Sequence, residues 1–284
     1  MTTLGLLHPG AMGTAVGAAL RAQGHRVLWA SAGRSAATAA RARQHGLEDA
    51  GTLAAVCAQA AVILSICPPH AAEDVANEVA ALGFTGLYLD ANAIAPAKAQ
   101  RLAATLAAAG SAFIDGGLIG GPPWQPGTTL ALSGPRAAEL AALFAGTPLA
   151  TEVLGPEVGS ASALKMCYAA YSKGTTALLV AALATADQLG VREALLRQWE
   201  GDGGPAAQAP QRARGVTAKA WRFTGEMEEI AATFRGAGLP GGFHEAAGEI
   251  YQRLAGFKDA AEPPTLEAVL AALTAPGNPP PASP

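Results

Sequence analysis

The first half of the chain alternates short apolar runs with alanine-rich segments of helical periodicity. The runs predict strands, and the segments between them predict helices that begin or end near Pro, Ser or Gly. This alternation is typical of a parallel sheet covered by helices. The predicted strands are Thr3–Leu7, Arg26–Ala30, Ala61–Ile66, Gly86–Asp90, Ala112–Asp115 and Thr129–Ser133, and the predicted helices are Ala11–Ala22, Ser35–His45, Ala71–Leu82 and Pro96–Ala109.

After about Glu152 the pattern changes, because no further run of strand character follows. A helix-compatible stretch over 156–189 predicts a rod of roughly 50 Å. Shorter helices are predicted at Arg192–Trp199, Pro210–Trp221, Thr224–Arg235, Gly241–Leu254 and Thr265–Leu273. We therefore expect an α/β protein with three regions. A Rossmann-type doubly wound sheet occupies residues 1–153, an all-α domain occupies 154–260, and residues 261–284 form a helix and a proline-rich tail disordered over Pro276–Pro284.

Charge and composition narrow the class of function. A net charge of −3 and a pI near 6.0 give no basic field for nucleic acid. No apolar stretch reaches the ~20 residues of a membrane span, and the first residues lack the basic start of a signal peptide. We therefore expect a cytoplasmic protein with no membrane partner. Three widely spaced cysteines without a CxxC pair predict neither a disulfide framework nor a metal site.

A candidate phosphate-binding turn joins the first predicted strand to the first helix. Its sequence is His8-Pro9-Gly10-Ala11-Met12-Gly13. Such a turn directs backbone N–H groups and the positive end of the helix dipole at a pyrophosphate. His8 stands where the usual GxGxxG has its first glycine, which leaves an ordinary strand–helix turn as the alternative.

The end of the second strand indicates which dinucleotide is bound. NAD sites place an acidic residue there, but the first acidic residue of this chain is Glu48. Ser31, Arg34 and Ser35 instead offer a guanidinium and two hydroxyls that suit a 2′-phosphate. We expect NADP(H) as the cofactor, with Arg41 or Arg43 as alternative cations if Arg34 is only a solvated loop residue.

Together with Gly10-Ala-Met-Gly13, four later segments resemble the β-hydroxyacid dehydrogenase superfamily. They are Ile66-Cys-Pro-Pro69, Asp90-Ala-Asn-Ala-Ile-Ala-Pro96, Asp115-Gly-Gly-Leu-Ile-Gly-Gly121 and Gly159-Ser-Ala-Ser-Ala-Leu-Lys165. This superfamily includes 3-hydroxyisobutyrate and 6-phosphogluconate dehydrogenases and the imine reductases. The chain is most similar to the 6-phosphogluconate dehydrogenase-like branch that has its own C-terminal domain.

The resemblance implies roles for residues in each segment. It implies that Cys67, Pro68 and Pro69 lie beside the cofactor, that Asn92 lies near the nicotinamide, that Gly117, Leu118, Ile119 and Gly120 meet the substrate, and that Lys165 is catalytic. Ile119 replaces the family's substrate-binding serine, and Tyr168 replaces an asparagine. These two changes favour a less charged substrate than the family's hydroxy acids, such as a larger carbonyl compound or an imine.

Lys165 also stands out because its neighbours are mostly apolar, where an ammonium is costly without a purpose. We expect it to exchange a proton with the substrate while hydride passes to or from the nicotinamide, with Tyr168 sharing the proton or binding the substrate. A lysine that only extends to solvent is the alternative. Trp124, in a Gly- and Pro-rich segment, and His244 are further candidate substrate contacts.

The expected function is therefore an NADP-dependent oxidoreductase acting on a small hydroxy or carbonyl compound. The alternatives are an imine reductase-like enzyme and a non-catalytic NADP-binding sensor. The family resemblance also implies a homodimer.

Overall fold

The computed structural model describes residues 1–258, 260 and 262–275. The predicted disorder of Pro276–Pro284 lies outside the described residues. The chain divides into two compact units, of which the first is Met1–Tyr168 and the second begins at Ala169. The domain limits proposed from the sequence stay predictions.

The first unit is built on one eight-stranded sheet. Its strands are β1 Thr3–Leu7, β2 Arg26–Trp29, β3 Glu48–Asp49, β4 Val62–Ser65, β5 Leu87–Asp90, β6 Ala112–Ile119, β7 Thr128–Ser133 and β8 Leu149–Gly155. The order across the sheet is β3-β2-β1-β4-β5-β6-β7-β8. Neighbouring strands are parallel except for β6 and β7, which pair antiparallel. The carboxyl ends of β1, β4, β5 and β6 therefore share one edge of the sheet.

Consecutive strand residues point to opposite faces of the sheet. Both faces carry buried apolar side chains, and helices cover both. Leu4 and Leu6 belong to one core cluster, whereas Leu7 belongs to the other. The helices of the unit are α1 Ala11–Ala22, α2 Ala36–Gln44, α3 Leu53–Gln59, α4 Ala72–Ala81, α5 Pro96–Ala108 and α6 Ala137–Ala142. A doubly wound, mostly parallel sheet followed by a helical region confirms the predicted fold class.

The helical part of the chain contains α7 Ser160–Gln188, α8 Arg192–Asp202, α9 Ala209–Gly236, α10 Gly242–Arg253 and α11 Leu266–Thr274. The division between the two units falls within α7. In the second unit, Lys173 of α7 forms an ion pair with the buried Glu226 of α9, and Tyr251 of α10 donates to the Lys173 carbonyl at 2.7 Å. These contacts hold α7, α9 and α10 together, and they pair the buried Glu226 carboxylate and the Tyr251 hydroxyl.

Three sequence-based assignments were wrong. The predicted break between helices at 222–223 is absent from the described chain, since α9 is continuous and Phe223 is buried on it. Strand β8 continues past Glu152, where no further strand was expected. The strand predicted to end at Asp115 continues to Ile119, so Gly117 and Leu118 also belong to β6, which pairs with β7 along its second half.

Among the described residues, no helix is both long enough and apolar enough to cross a membrane.

Candidate functional site

The turn after β1 has the backbone geometry of an anion-binding site. His8 has φ +65°, a left-handed conformation that favours glycine but that His adopts more readily than most residues. A Cβ on residue 13 would lie 2.8 Å from the His8 carbonyl oxygen, which requires glycine there. Gly10 begins α1 without a side-chain cap. The first N–H groups of α1 therefore have no capping side chain and can bind a phosphate.

A cleft of about 310 Å³ lies beside this turn, within the first unit. It is lined by Leu7, His8, Ala30, Ala32, Arg34, Thr52, Leu53, Ala54, Val75, Glu78 and Leu82. The lining is mostly apolar with a few polar side chains, which is the usual composition of a site for a small organic ligand. The turn and the predicted phosphate-binding Arg34 therefore border the same cleft.

His8 contributes an imidazole that lacks a partner inside the described protein. Its Nδ1 is buried and makes no hydrogen bond. Burial, followed by the nearby positive charge of Arg34, lowers the pKa of His8 to about 4. A polar ligand bound in the cleft would supply the hydrogen bond that the buried Nδ1 of this neutral ring lacks. The residues present thus fit a dinucleotide.

The remaining residues proposed to bind the 2′-phosphate differ in their surroundings. The Ser35 hydroxyl caps α2 by accepting a hydrogen bond from the Thr38 N–H at 3.3 Å. The Ser31 carbonyl accepts from the Arg34 N–H at 3.0 Å, which turns the chain at this point. Arg41 donates to the Pro9 carbonyl at 3.2 Å and so lies against the turn itself. Both Arg34 and Arg41 therefore remain candidates to contact a phosphate.

The segment after β4, which contains Cys67, Pro68 and Pro69, is held from two sides. The Asn92 amide oxygen accepts from the Cys67 N–H at 2.5 Å, and Lys98 donates to the Pro69 carbonyl at 3.3 Å. The Asn92 amide nitrogen in turn donates to Ser65 at 3.1 Å and to Asp90 at 2.8 Å. Asn92 therefore fixes the segment after β4, and its expected place near the nicotinamide stays a prediction.

Asp90, at the end of β5, was not identified from the sequence as a site residue. It is fully buried, and burial raises the pKa of its carboxyl group to about 7, against the opposing effect of its hydrogen bonds from Asn92. Its two oxygens accept from the backbone N–H and the side-chain amide of Asn92. Asp90 is therefore a positioning residue for Asn92.

Asp115 positions the start of the helix that carries Lys165. Its carboxylate accepts from the N–H groups of Gly159 at 3.0 Å and Ser162 at 2.9 Å, and from the hydroxyls of Ser133 at 3.0 Å and Ser162 at 2.5 Å. A negative charge at the first turn also interacts favourably with the helix dipole. This role could not be identified from the sequence motif, because the partners of Asp115, Gly159 just before α7 and Ser162 on α7, are 44 and 47 residues away.

Lys165 lies one turn further along α7, against the second half of β6. A Cβ on Gly117 would lie 2.7 Å from the Ala161 carbonyl oxygen and 2.9 Å from the Lys165 Cβ, so glycine permits this close approach. The Lys165 ammonium donates to the Leu118 carbonyl oxygen at 2.6 Å. The Leu118 side chain itself is buried in the core. Gly117 and Leu118 therefore position Lys165 through their backbone.

The other candidate substrate residues lie in different surroundings. Gly120 follows β6 with φ +127°, and the Trp124 ring packs on His45 with centroids 4.6 Å apart. Tyr168 is 53% exposed at the end of the first unit. His244, in the second unit, is buried between Phe234 and Phe243. Their contacts with a substrate stay predictions.

Two family models match the chain. The NAD binding domain of 6-phosphogluconate dehydrogenase matches residues 3–143, and a domain of unknown function, DUF1932, matches residues 186–254. An uncharacterized 28.5 kDa protein of Methanothermus fervidus is 30% identical over 136 residues, which are 48% of this chain and 51% of that protein. The chain thus aligns with about half the length of this relative.

Solved structures are similar over most of the chain. A conserved protein of unknown function, described as similar to 3-hydroxyacid dehydrogenases, is 26% identical with a TM-score of 0.66, over 89% of this chain and 96% of that one. A 3-hydroxyisobutyrate dehydrogenase of Mycobacterium tuberculosis shares the fold at 20% identity and a TM-score of 0.71, over 97% and 100% of the two chains. A reductive aminase of Aspergillus terreus, in complex with NADPH, shares it at 21% identity and a TM-score of 0.56, over 95% and 98%.

The two family matches confirm the resemblance proposed from the sequence. The chain belongs to the proteins that join a 6-phosphogluconate dehydrogenase-type NAD binding domain to a C-terminal DUF1932 domain.

Proposed function

We propose that the protein is an NADP-dependent oxidoreductase that interconverts a small hydroxy compound and the corresponding carbonyl compound. One observation carries the proposal. The Lys165 ammonium is held on the Leu118 carbonyl at 2.6 Å, near the carboxyl end of β6. The phosphate-binding turn follows the carboxyl end of β1, at the same edge of the sheet. Ligands of doubly wound sheets bind at this edge, which favours a common site.

The cleft beside the turn favours NADP over NAD. Arg34 lines it, and the residues after β2 offer a cation where an NAD site would have a carboxylate. The N–H groups at the start of α1 would bind the pyrophosphate, while the Cys67–Pro69 segment, held by Asn92, would lie beside the nicotinamide. When bound, the cofactor supplies or accepts a hydride at nicotinamide C4.

Lys165 would handle the proton. In reduction, its ammonium gives a proton to the substrate oxygen as hydride reaches the carbonyl carbon, which yields the alcohol. In oxidation, the neutral amine takes the hydroxyl proton as the hydride leaves the same carbon. The bond to the Leu118 carbonyl fixes the position of the nitrogen, because α7 and β6 are held together by Asp115 and Gly117. Tyr168 would hydrogen-bond the substrate.

The substrate we propose is less charged than a hydroxy acid. Ile119, partly buried at the end of β6, offers no hydrogen bond to a carboxylate. Gly120 and Trp124 are further proposed contacts, and the aromatic ring of Trp124 suits a carbonyl compound with an apolar substituent.

Replacing Lys165 tests this assignment. A panel of aldehydes and ketones is screened by the loss of NADPH absorbance, and Lys165→Ala is then compared with wild type and with Lys219→Ala, which changes an exposed lysine of α9. We expect Lys165→Ala to lower kcat about 10²- to 10⁴-fold with unchanged NADPH affinity. Full activity of Lys165→Ala would contradict the assignment. A wild-type protein that binds NADPH but reduces no compound would instead favour a sensor.

Imine reduction is the second candidate, favoured by the structural similarity to a reductive aminase. That class usually has Asp or Tyr at the position of Lys165, so the lysine favours carbonyl chemistry. Repeating the screen with an added primary amine separates the two. Turnover that requires the amine would support the imine reductase.

A further inference from the structure

Glu78 is the only carboxylate among the described residues that line the cleft beside the phosphate-binding turn. It lies on α4, with Val75 and Leu82 at the positions three before and four after it. Residues at these spacings share one face of a helix, and all three line the cleft. Two apolar side chains therefore flank one acidic group on the same wall.

A second helix, α3, also borders the cleft and lies near the carboxylate. Leu53 and Ala54 of α3 also line the cleft. Burial, followed by the negative charge of Glu78, raises the pKa of Cys57 on that helix to about 11. Glu78 thus lies close to α3, which packs beside α4. In the described part of the chain it forms no ion pair, so it can accept a hydrogen bond from a ligand.

The charges in the cleft orient an NADP molecule. A 2′-phosphate is attracted by Arg34 and repelled by Glu78, so the phosphorylated ribose belongs near Arg34 and His8. The adenine base would then lie against the apolar lining residues of α3 and α4. Adenine has flat apolar faces and one exocyclic amino group, which is a donor. The only complementary charged acceptor among the lining residues is Glu78.

We propose that Glu78 recognises the adenine base of the cofactor, with its carboxylate accepting a hydrogen bond from the 6-amino group. This inference rests on the proposed function. It assigns Glu78 a part in choosing the base, in addition to the choice of ribose phosphate by Arg34. A base with an oxygen at position 6 would place an acceptor against the carboxylate and would be rejected, because a site built to bind a donor leaves its own group unpaired.

The test compares two reduced cofactors, NADPH and its hypoxanthine analogue, which carries 6-oxo in place of 6-amino. Binding is measured by nicotinamide fluorescence and calorimetry, which require no substrate. We expect wild type to bind NADPH about tenfold more tightly than the analogue, as for one hydrogen bond to a charged group.

Three variants separate the contribution of Glu78 from other effects. Glu78→Ala should bind both cofactors with nearly equal affinity, because the acceptor is lost. Glu78→Gln should also bind them within about twofold, because its amide can donate to the 6-oxo group as well as accept from the 6-amino group. Glu73→Gln, an exposed change on the same helix outside the cleft lining, should keep the wild-type preference.

Two results would overturn the inference, and they are distinguishable. An NADPH preference that persists unchanged in Glu78→Ala and Glu78→Gln would exclude Glu78 as the base-selecting residue while leaving the proposed function intact. Failure of wild type to bind either cofactor would refute the proposed function and this inference with it. Because Glu78 is exposed, its variants should keep the wild-type circular dichroism and melting temperature.

Discussion

Replacing Asp115 should destabilise the protein far more than replacing a surface carboxylate. Its side chain accepts four hydrogen bonds from groups on β7, the turn before α7 and α7 itself, and the residue has no exposed surface. A helix cap contributes about 1 kcal/mol, and a bond to a charged group about 1.5–3 kcal/mol. These terms overlap, and the donors left behind in Asp115→Ala become buried and unpaired. We therefore expect a loss of about 4 kcal/mol, and about half of that for Asp115→Asn.

The assay is urea unfolding followed by circular dichroism and tryptophan fluorescence. Asp115→Ala should lower the midpoint at an unchanged m value, which indicates a change in stability rather than in compactness. Glu139→Ala is the control, since Glu139 pairs with Arg136 at the surface and should leave the midpoint near that of wild type. If Asp115→Ala stayed within about 1 kcal/mol of wild type, the described cap would not hold α7.

Two further predictions concern the same sheet edge. Gly117→Ala should cost about 1–3 kcal/mol of stability and displace Lys165, because the new Cβ would meet the Ala161 carbonyl, whereas Gly121→Ala, with open space around it, should melt like wild type. The raised pKa of Asp90, about 7, means that the folded protein keeps a proton which the unfolded chain loses above its ordinary pKa of about 3.9. Asp90 should therefore lower the free energy of unfolding as the pH rises from about 4 to about 7. Measured by urea unfolding at several pH values, the free energy of Asp90→Asn should lack this decrease. Equal slopes for wild type and Asp90→Asn would refute the assignment.

The first strand and helix were predicted with their observed limits, because the information is local. Thr3–Leu7 alternates between the two cores of the sheet, and α1 follows a turn whose glycine is required by a contact within the same turn. The same holds for Arg34, whose position after β2 follows from the strand order of a doubly wound sheet. Local pattern was sufficient for the fold class and for placing Arg34 at the cleft beside the turn after β1.

The roles of β6 and Asp115 depend on distant partners. Glycines weaken a strand prediction, so the predicted strand ended at Asp115. Gly117 is nevertheless needed in β6 because α7 lies directly against it. The bonds of Asp115 to α7 depend on the final packing of that helix. A single sequence carries no local sign of either contact. The acidic side chain in the cleft, Glu78, was missed for the same reason, since it belongs to an otherwise ordinary amphipathic helix.

The central claim is that the turn from His8 to Gly13 binds NADP with its nicotinamide directed toward Lys165. A crystal structure of the protein with NADPH tests it most directly. We expect the pyrophosphate on the first N–H groups of α1, the 2′-phosphate on Arg34, and nicotinamide C4 beside a space that the Lys165 ammonium can reach directly or through one water molecule. A dinucleotide bound elsewhere, or a nicotinamide ring on the far side of the sheet from Lys165, would contradict it.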